Sequence, residues 1–203
     1  MIKPRLAIFI IIVAVQLSVP IYLIANREYV LKTGHAFHFR TEPVDPYDAF
    51  RGRYVYLDFA IENDINEAVK KEYGGKVWEA LDSDRARTMY VSLKKDARGF
   101  AIVATIGEIP PGYADYIKVD VKRNEYSDRV LVDIPFNRFY MDEFDAPKAE
   151  HAYNTVNRDQ KMEAYAVVYV KKGETVLYDL MLDNMPIREY LTKYSSEPLK
   201  PRK

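Results

Sequence analysis

Twenty consecutive residues, Leu6 to Ala25 (LAIFIIIVAVQLSVPIYLIA), carry no charge, and this run limits what the chain can be more than any other feature. A helix of that length rises about 1.5 Å per residue and reaches roughly 30 Å, the hydrocarbon thickness of a bilayer. A cleaved signal peptide has an apolar stretch of only about 7 to 15 residues followed by a small-residue cleavage site. Here the run is longer and no A-x-A site precedes the folded part, so an uncleaved anchor is expected. Gln16, Ser18 and Pro20 interrupt it mildly, and Pro20 removes one backbone hydrogen bond. Lys3 and Arg5 before the run favour a cytoplasmic N-terminus, while Arg27 and Lys32 after it weaken the asymmetry. The expected organisation is a cytoplasmic end at 1–5, an anchor at 6–25, an extracytoplasmic β-rich domain at 26–194 and a flexible polar tail at 195–203.

The 30 basic and 30 acidic residues balance, and setting aside Lys3 and Arg5 leaves the soluble part slightly acidic. Such a surface gives no electrostatic reason to expect nucleic acid. The absence of cysteine excludes disulfides, thiolate metal sites and a cysteine nucleophile together. Seventeen tyrosines favour half-buried pleated surfaces.

Beyond Glu28 the dominant period is two, the mark of strands with one buried face. Phe37 and Phe39 flank His38, and Met89, Val91 and Leu93 share a face. So do Phe100, Ile102, Ala104 and Ile106, and likewise Ile117, Val119 and Val121. Val130, Val132, Ile134 and Phe136 continue the series. Ala164 to Val170 is apolar on both faces, as in a central strand, and Val176, Tyr178, Leu180 and Leu182 read as the last. Eight or nine short strands predict an antiparallel sandwich or open barrel, mainly β, with one or two covering helices. One helix is expected over Asp64 to Tyr73, capped by Asp64 and stopped by Gly74-Gly75. The other, over Pro147 to Asn157, is capped by Asp145 and buries Ala149, Ala152, Tyr153 and Val156.

Residues 41–59 (TEPVDPYDAFRGRYVYLDF) stand apart. Asp45 caps a helical turn, Pro46 sits where its missing N–H costs nothing, Asp48 comes three residues after the cap, and Gly52 supplies the left-handed residue that ends the turn. A strand then places Val55, Leu57, Phe59 and Ile61 on one face and Tyr54, Tyr56 and Asp58 on the other. This stretch resembles the uncharacterised bacterial membrane-anchored proteins named after a G-D-Y-x-x-L-x-Y motif. The match runs through Gly52, Arg53, Tyr54, Leu57 and Phe59, preceded by Pro43-Val44-Asp45-Pro46 and Arg51-Gly52. Arg53 stands where the motif has Asp, and Phe59 where it has Tyr. The segments Ile134 to Glu143 and Leu180 to Asn184 extend the resemblance along the chain. It implies a polytopic membrane protein as partner, since similar proteins lie beside or are fused to such domains, but it names no activity. Asp45, Asp48, Arg51, Gly52, Arg53, Tyr54, Leu57 and Phe59 form the candidate site, read as a turn-to-strand junction with Arg51, Arg53, Tyr54 and Asp58 as its interaction surface.

No catalytic constellation is legible, and no cofactor or metal is expected. His35 and His38 fall on opposite strand faces, and Asp142, Glu143 and Asp145 read as a helix cap rather than a cation site. The Arg51-Gly52-Arg53-Tyr54-Val55 entry resembles, more weakly, the β core of membrane-anchored signal peptidases. Yet no serine lies between Ser18 and Ser83, and nothing pairs Ser92 with Lys94 or Lys95 as nucleophile and base. The expectation is a non-catalytic membrane-tethered accessory module. Its alternatives are a small-ligand or lipid-binding β domain with a cavity lined by Tyr54, Tyr56, Tyr165 or Tyr169 and, more remotely, a membrane-anchored hydrolase. If Gly52 is the left-handed stop, Gly52→Val lowers folding stability by more than about 1 kcal/mol. Unchanged thermal unfolding would remove that assignment.

Overall fold

The structure is a computed structural model that describes residues 4–43, 54–74, 81, 85–126, 129–159 and 162–194. Its first element is helix α1 (Pro4–Thr33), 30 residues that continue eight residues past the apolar run. From Ile8 to Thr33 it is long and apolar enough to cross a membrane. Ile8, Phe9, Ile11, Val15, Ile21 and Ile24 are all exposed, so the β domain does not cover this stretch of the helix. A helix apolar all round and left uncovered matches a lipid environment rather than a protein core.

The last turns of α1 behave differently. Val30 is 2% exposed and packs where α1 meets β9 (Ala164–Lys171) and β10 (Glu174–Leu182). The Gly34 N–H donates to the Val30 carbonyl at 2.7 Å, and β1 (His35–Glu42) begins at the next residue. Lys171 donates to the Thr33 hydroxyl, and its ammonium stands 4.0 Å from the centre of the Tyr29 ring. A cation over an aromatic face is attractive by about 0.5 to 1 kcal/mol at exposed sites. Helix and sheet are thus joined by one residue and clamped by side chains.

The chain then forms β2 (Tyr54–Tyr56), β3 (Asp58–Phe59), α2 (Ile61–Glu72), β4 (Arg87–Lys95), β5 (Ala101–Gly107), β6 (Tyr116–Arg123), β7 (Val130–Asp133) and β8 (Arg138–Tyr140). It closes with α3 (Ala146–Arg158), β9, β10, β11 (Met185–Pro186) and α4 (Ile187–Tyr194). Among the described residues every strand ladder is antiparallel: a five-stranded sheet in the order β11-β10-β9-β1-β3, a four-stranded sheet β5-β4-β6-β7, and a ribbon of β2 with β8. Phe37, Phe39, Ala166, Val168 and Leu180 of the first sheet share one core with Met89, Val91, Ile117 and Val119 of the second. Isolated parallel bridges, His38 with Phe100 and Ile117 with Gly173, join the two sheets. The fold is mainly β, as the periodicity predicts, and β9 is the central strand of its sheet.

Several local expectations need correction. α2 begins at Ile61, not after Asp64: Ala60 is already helical, and the Glu62 carboxylate reaches back to accept from the Phe59 N–H at 3.4 Å. Ile61 is therefore buried by a helix rather than by an extended strand. Gly74 ends α2 in the left-handed region at φ 55°, as expected, while Gly75 lies outside the described residues. α3 buries Ala149, Ala152, Tyr153 and Val156 as expected, but Asp145 makes no side-chain cap bond. Asp142 does the capping, accepting from Phe144 N–H on its side chain and from Asp145 and Ala146 N–H on its carbonyl. α4, with Ile187 and Tyr190 buried, is an element the strand pattern does not announce.

Two bulges flip faces. In β5 the pairing steps from Ser92–Thr105 to Leu93–Val103, leaving Ala104 as the extra residue. Ala101, Val103 and Ile106 consequently pack on the core, and Ile102 is exposed. In β10 the pairing steps from Leu177–Val168 to Asp179–Val167, so Tyr178 is extruded and Val176 lies opposite in face to Leu180 and Leu182.

A Cβ on Gly34 would lie 2.6 Å from the Val30 carbonyl oxygen and 2.9 Å from that of Val170. Both are backbone atoms, so nothing flexible can give way. Gly34→Ala is expected to lower the melting temperature, at a cost of about 1 to 3 kcal/mol, with Gly107→Ala, whose Cβ meets nothing within 4 Å, as the control.

Candidate functional site

Tyr54 begins the described part of the motif; Asp45, Asp48, Arg51, Gly52 and Arg53 lie outside the described residues, as does the tail 195–203. From Tyr54 the chain runs as a strand that changes partners. β2 pairs with β8 in the register Tyr54–Tyr140, Val55–Phe139 and Tyr56–Arg138. Leu57 N–H still donates to Asn137 O at 2.9 Å, and two residues later Phe59 is paired with Thr41 of β1. The motif strand therefore ties the ribbon to the five-stranded sheet.

Its inward face is core. Val55, Leu57 and Phe59 are at most 1% exposed. The Phe59 ring packs edge-on against Phe39 and Phe136, with centroids 6.0 and 5.2 Å away. Phenylalanine suits this place, since a buried tyrosine hydroxyl needs a hydrogen-bond partner. Leu57 and Phe59 thus hold the fold, and only Tyr54, Tyr56 and Asp58 present polar atoms outward.

Tyr54 packs against Tyr140 at 5.6 Å, and the Arg138 guanidinium lies 5.4 Å from the Tyr54 ring. Tyr140 is 63% exposed. The ribbon's outer face thus displays aromatic surface beside a cation.

Asp58 opens a second feature. It pairs in register with Glu42 of β1, and both act electrostatically on Glu62, as does Asp133. Burial, chiefly, and these like charges push the Glu62 carboxyl up to about 7, against the opposing bond from the Phe59 N–H. Amides share the site: Asn63 donates to Glu42 at 3.2 Å, Arg129 to Asn63 at 2.8 Å, and Asn137 to Asp133 at 3.2 Å. Beneath them the fully buried Tyr153 donates to the Glu42 carbonyl at 2.8 Å, and burial pushes its hydroxyl well above the usual range. Among the described residues no three His, Asp or Glu side chains are placed to hold a metal ion. The arrangement can hold a proton near neutrality. The apolar pattern misses Glu62 because it places the helix cap at Asp64, four residues after Ala60.

The histidines separate as strand geometry requires. His35 Nδ1 is 2.7 Å from Asp115 Oδ2, whereas the His38 ring packs against Phe100 and Tyr165 on the other face. Burial, with Lys95 nearby, lowers His38 below the usual histidine range. Tyr169 packs on Tyr178. An open cleft of about 490 Å³ lies between α3 and α4, lined by Met141, Asp142, Asp145, Lys148, Arg188 and Leu191, and by none of the tyrosines named for a ligand cavity.

The family model described as GDYXXLXY protein matches residues 16–180. The chain belongs to this family. The match takes in the second half of α1 and most of the β domain of this GDYXXLXY protein. Comparison with curated proteins and with solved structures finds no match.

The folded state binds a proton at Glu62 that the unfolded chain, with its carboxyl near 4.5, releases earlier. This contribution to stability is complete below about pH 4.5 and is lost as pH rises through about 7. Glu62→Gln should therefore flatten the stability profile between those values and raise stability at pH 8. Its effect is on the order of 1 kcal/mol once solvent screening of this half-buried group is allowed for. An unchanged profile would show that Glu62 is not the titrating group.

Proposed function

We propose that this GDYXXLXY protein is a membrane-tethered, non-catalytic accessory module whose β domain docks on a polytopic membrane or envelope partner. The observation that carries the reading is the aromatic pair of Tyr54 and the exposed Tyr140 on the outer face of the ribbon, with Arg138 beside it. Interfaces are enriched in tyrosine, phenylalanine and arginine, and such side chains dominate their energetics. The anchor reading of α1 is supported by its uncovered apolar surface and by the burial of Val30, which makes the helix end part of the domain. A leader cut away within α1 would take this packing with it. The placement of the domain outside the cytoplasm rests on Lys3 and Arg5.

A photo-crosslinking residue at Tyr140 in the full-length protein, in its native membrane, should capture a stoichiometric polytopic protein. The same residue at Tyr126, which is 95% exposed, should capture much less. Equal yields at the two positions, or none at either alongside an efficiently crosslinked control complex, would contradict the docking face.

A further inference from the structure

The hairpin between β9 and β10 lies at the same end of the domain as the exit of α1. Its two-residue turn, Lys172 and Gly173, has φ values of 49° and 83°, and Lys171 pairs with Glu174 across it. On an anchor whose hydrocarbon span ends at Ala25, Tyr29 lies four residues on, about 6 Å beyond the hydrocarbon edge. The polar headgroup layer on each side is roughly 5 to 8 Å thick. Lys171, with its ammonium 4.0 Å from the Tyr29 ring, is therefore held at headgroup depth. The charge of Lys172 also reaches Tyr29.

The carboxylates at this end are otherwise engaged. Glu28 pairs with Lys32 at 3.5 Å, Glu174 with Lys118 at 3.3 Å, and Asp115 with His35 at 2.7 Å. Among the described residues, no ion pair matches Arg27, Lys171 or Lys172 with a carboxylate. Two cations held together at headgroup depth, Lys171 and Lys172, call for an anionic surface, and the bilayer that holds α1 presents one wherever its lipids carry net negative charge.

We propose that Lys171 and Lys172 form a lipid-headgroup contact that binds anionic phosphate of the anchor's own bilayer and fixes the tilt of the β domain above it. This rests on the reading of α1 as an anchor. Each basic residue near an anionic surface contributes about 1 kcal/mol, so each lysine shifts the docked population about fivefold.

The chain has no cysteine, so single spin labels can be introduced without removing a native thiol. Full-length protein is reconstituted in phosphatidylcholine vesicles, with or without phosphatidylglycerol, carrying a label at position 174, an exposed hairpin position beside the turn, or at position 126. The label at 174 should report headgroup depth by oxygen and nickel-chelate accessibility, while the label at 126 reports bulk water. The label at 126 should also slow when phosphatidylglycerol is added. That slowing should weaken about fivefold in K172Q, a turn residue whose replacement leaves the Lys171–Tyr29 contact in place. Protein inserted in the vesicles with position 174 in bulk water, or with motion indifferent to phosphatidylglycerol and to K172Q, overturns the headgroup contact. Protein that fails to insert overturns the anchor reading and the proposal together.

Discussion

The approach of Gly34 to two backbone carbonyls, one in the last turn of α1 and one in β9, sets the position of the whole β domain. A linker of several residues would let the domain swing on its anchor. Here a single residue separates helix from strand, and Val30, Thr33 and Lys171 close the angle between them. The β domain is consequently an extension of α1, and each surface on it has a definite height and direction along the axis of that helix.

That rigidity gives the motif strand its meaning. By passing from β8 to β1 within six residues, Tyr54 to Phe59 locks the aromatic ribbon onto the sheet that carries α1. The inward residues make this junction part of the core, and the outward ones leave aromatic surface on one side and a cluster of carboxylates on the other. The apolar half of the motif is explained by packing alone.

Much of this is legible residue by residue. The uncharged run, the alternation in β1, β4 and β6, the two-faced apolar run of β9 and the helical stripe of α3 are local signals written in side-chain spacing. The misses have physical causes. Bulges at Ala104 and Tyr178 shift the face by one residue, and alternation alone does not reveal an inserted residue. The start of α2 depends on Glu62 reaching back to Phe59, a contact invisible in a pattern of apolar residues. α4 carries a readable signal in Ile187, Tyr190, Leu191 and Tyr194, at i, i+3, i+4 and i+7, which the preceding strand pattern obscures. The ribbon partner of Tyr54 and the carboxylates around Glu62 come from distant parts of the chain, so only the fold assembles them.

The central claim is that α1 and the β domain move as one body. Double electron–electron resonance between spin labels at Tyr22 and Tyr126, in full-length protein held in lipid nanodiscs, measures this directly. A single narrow distance distribution is the predicted result. A broad or multimodal distribution would show that the domain swings on α1, and that its surfaces have no fixed relation to that helix.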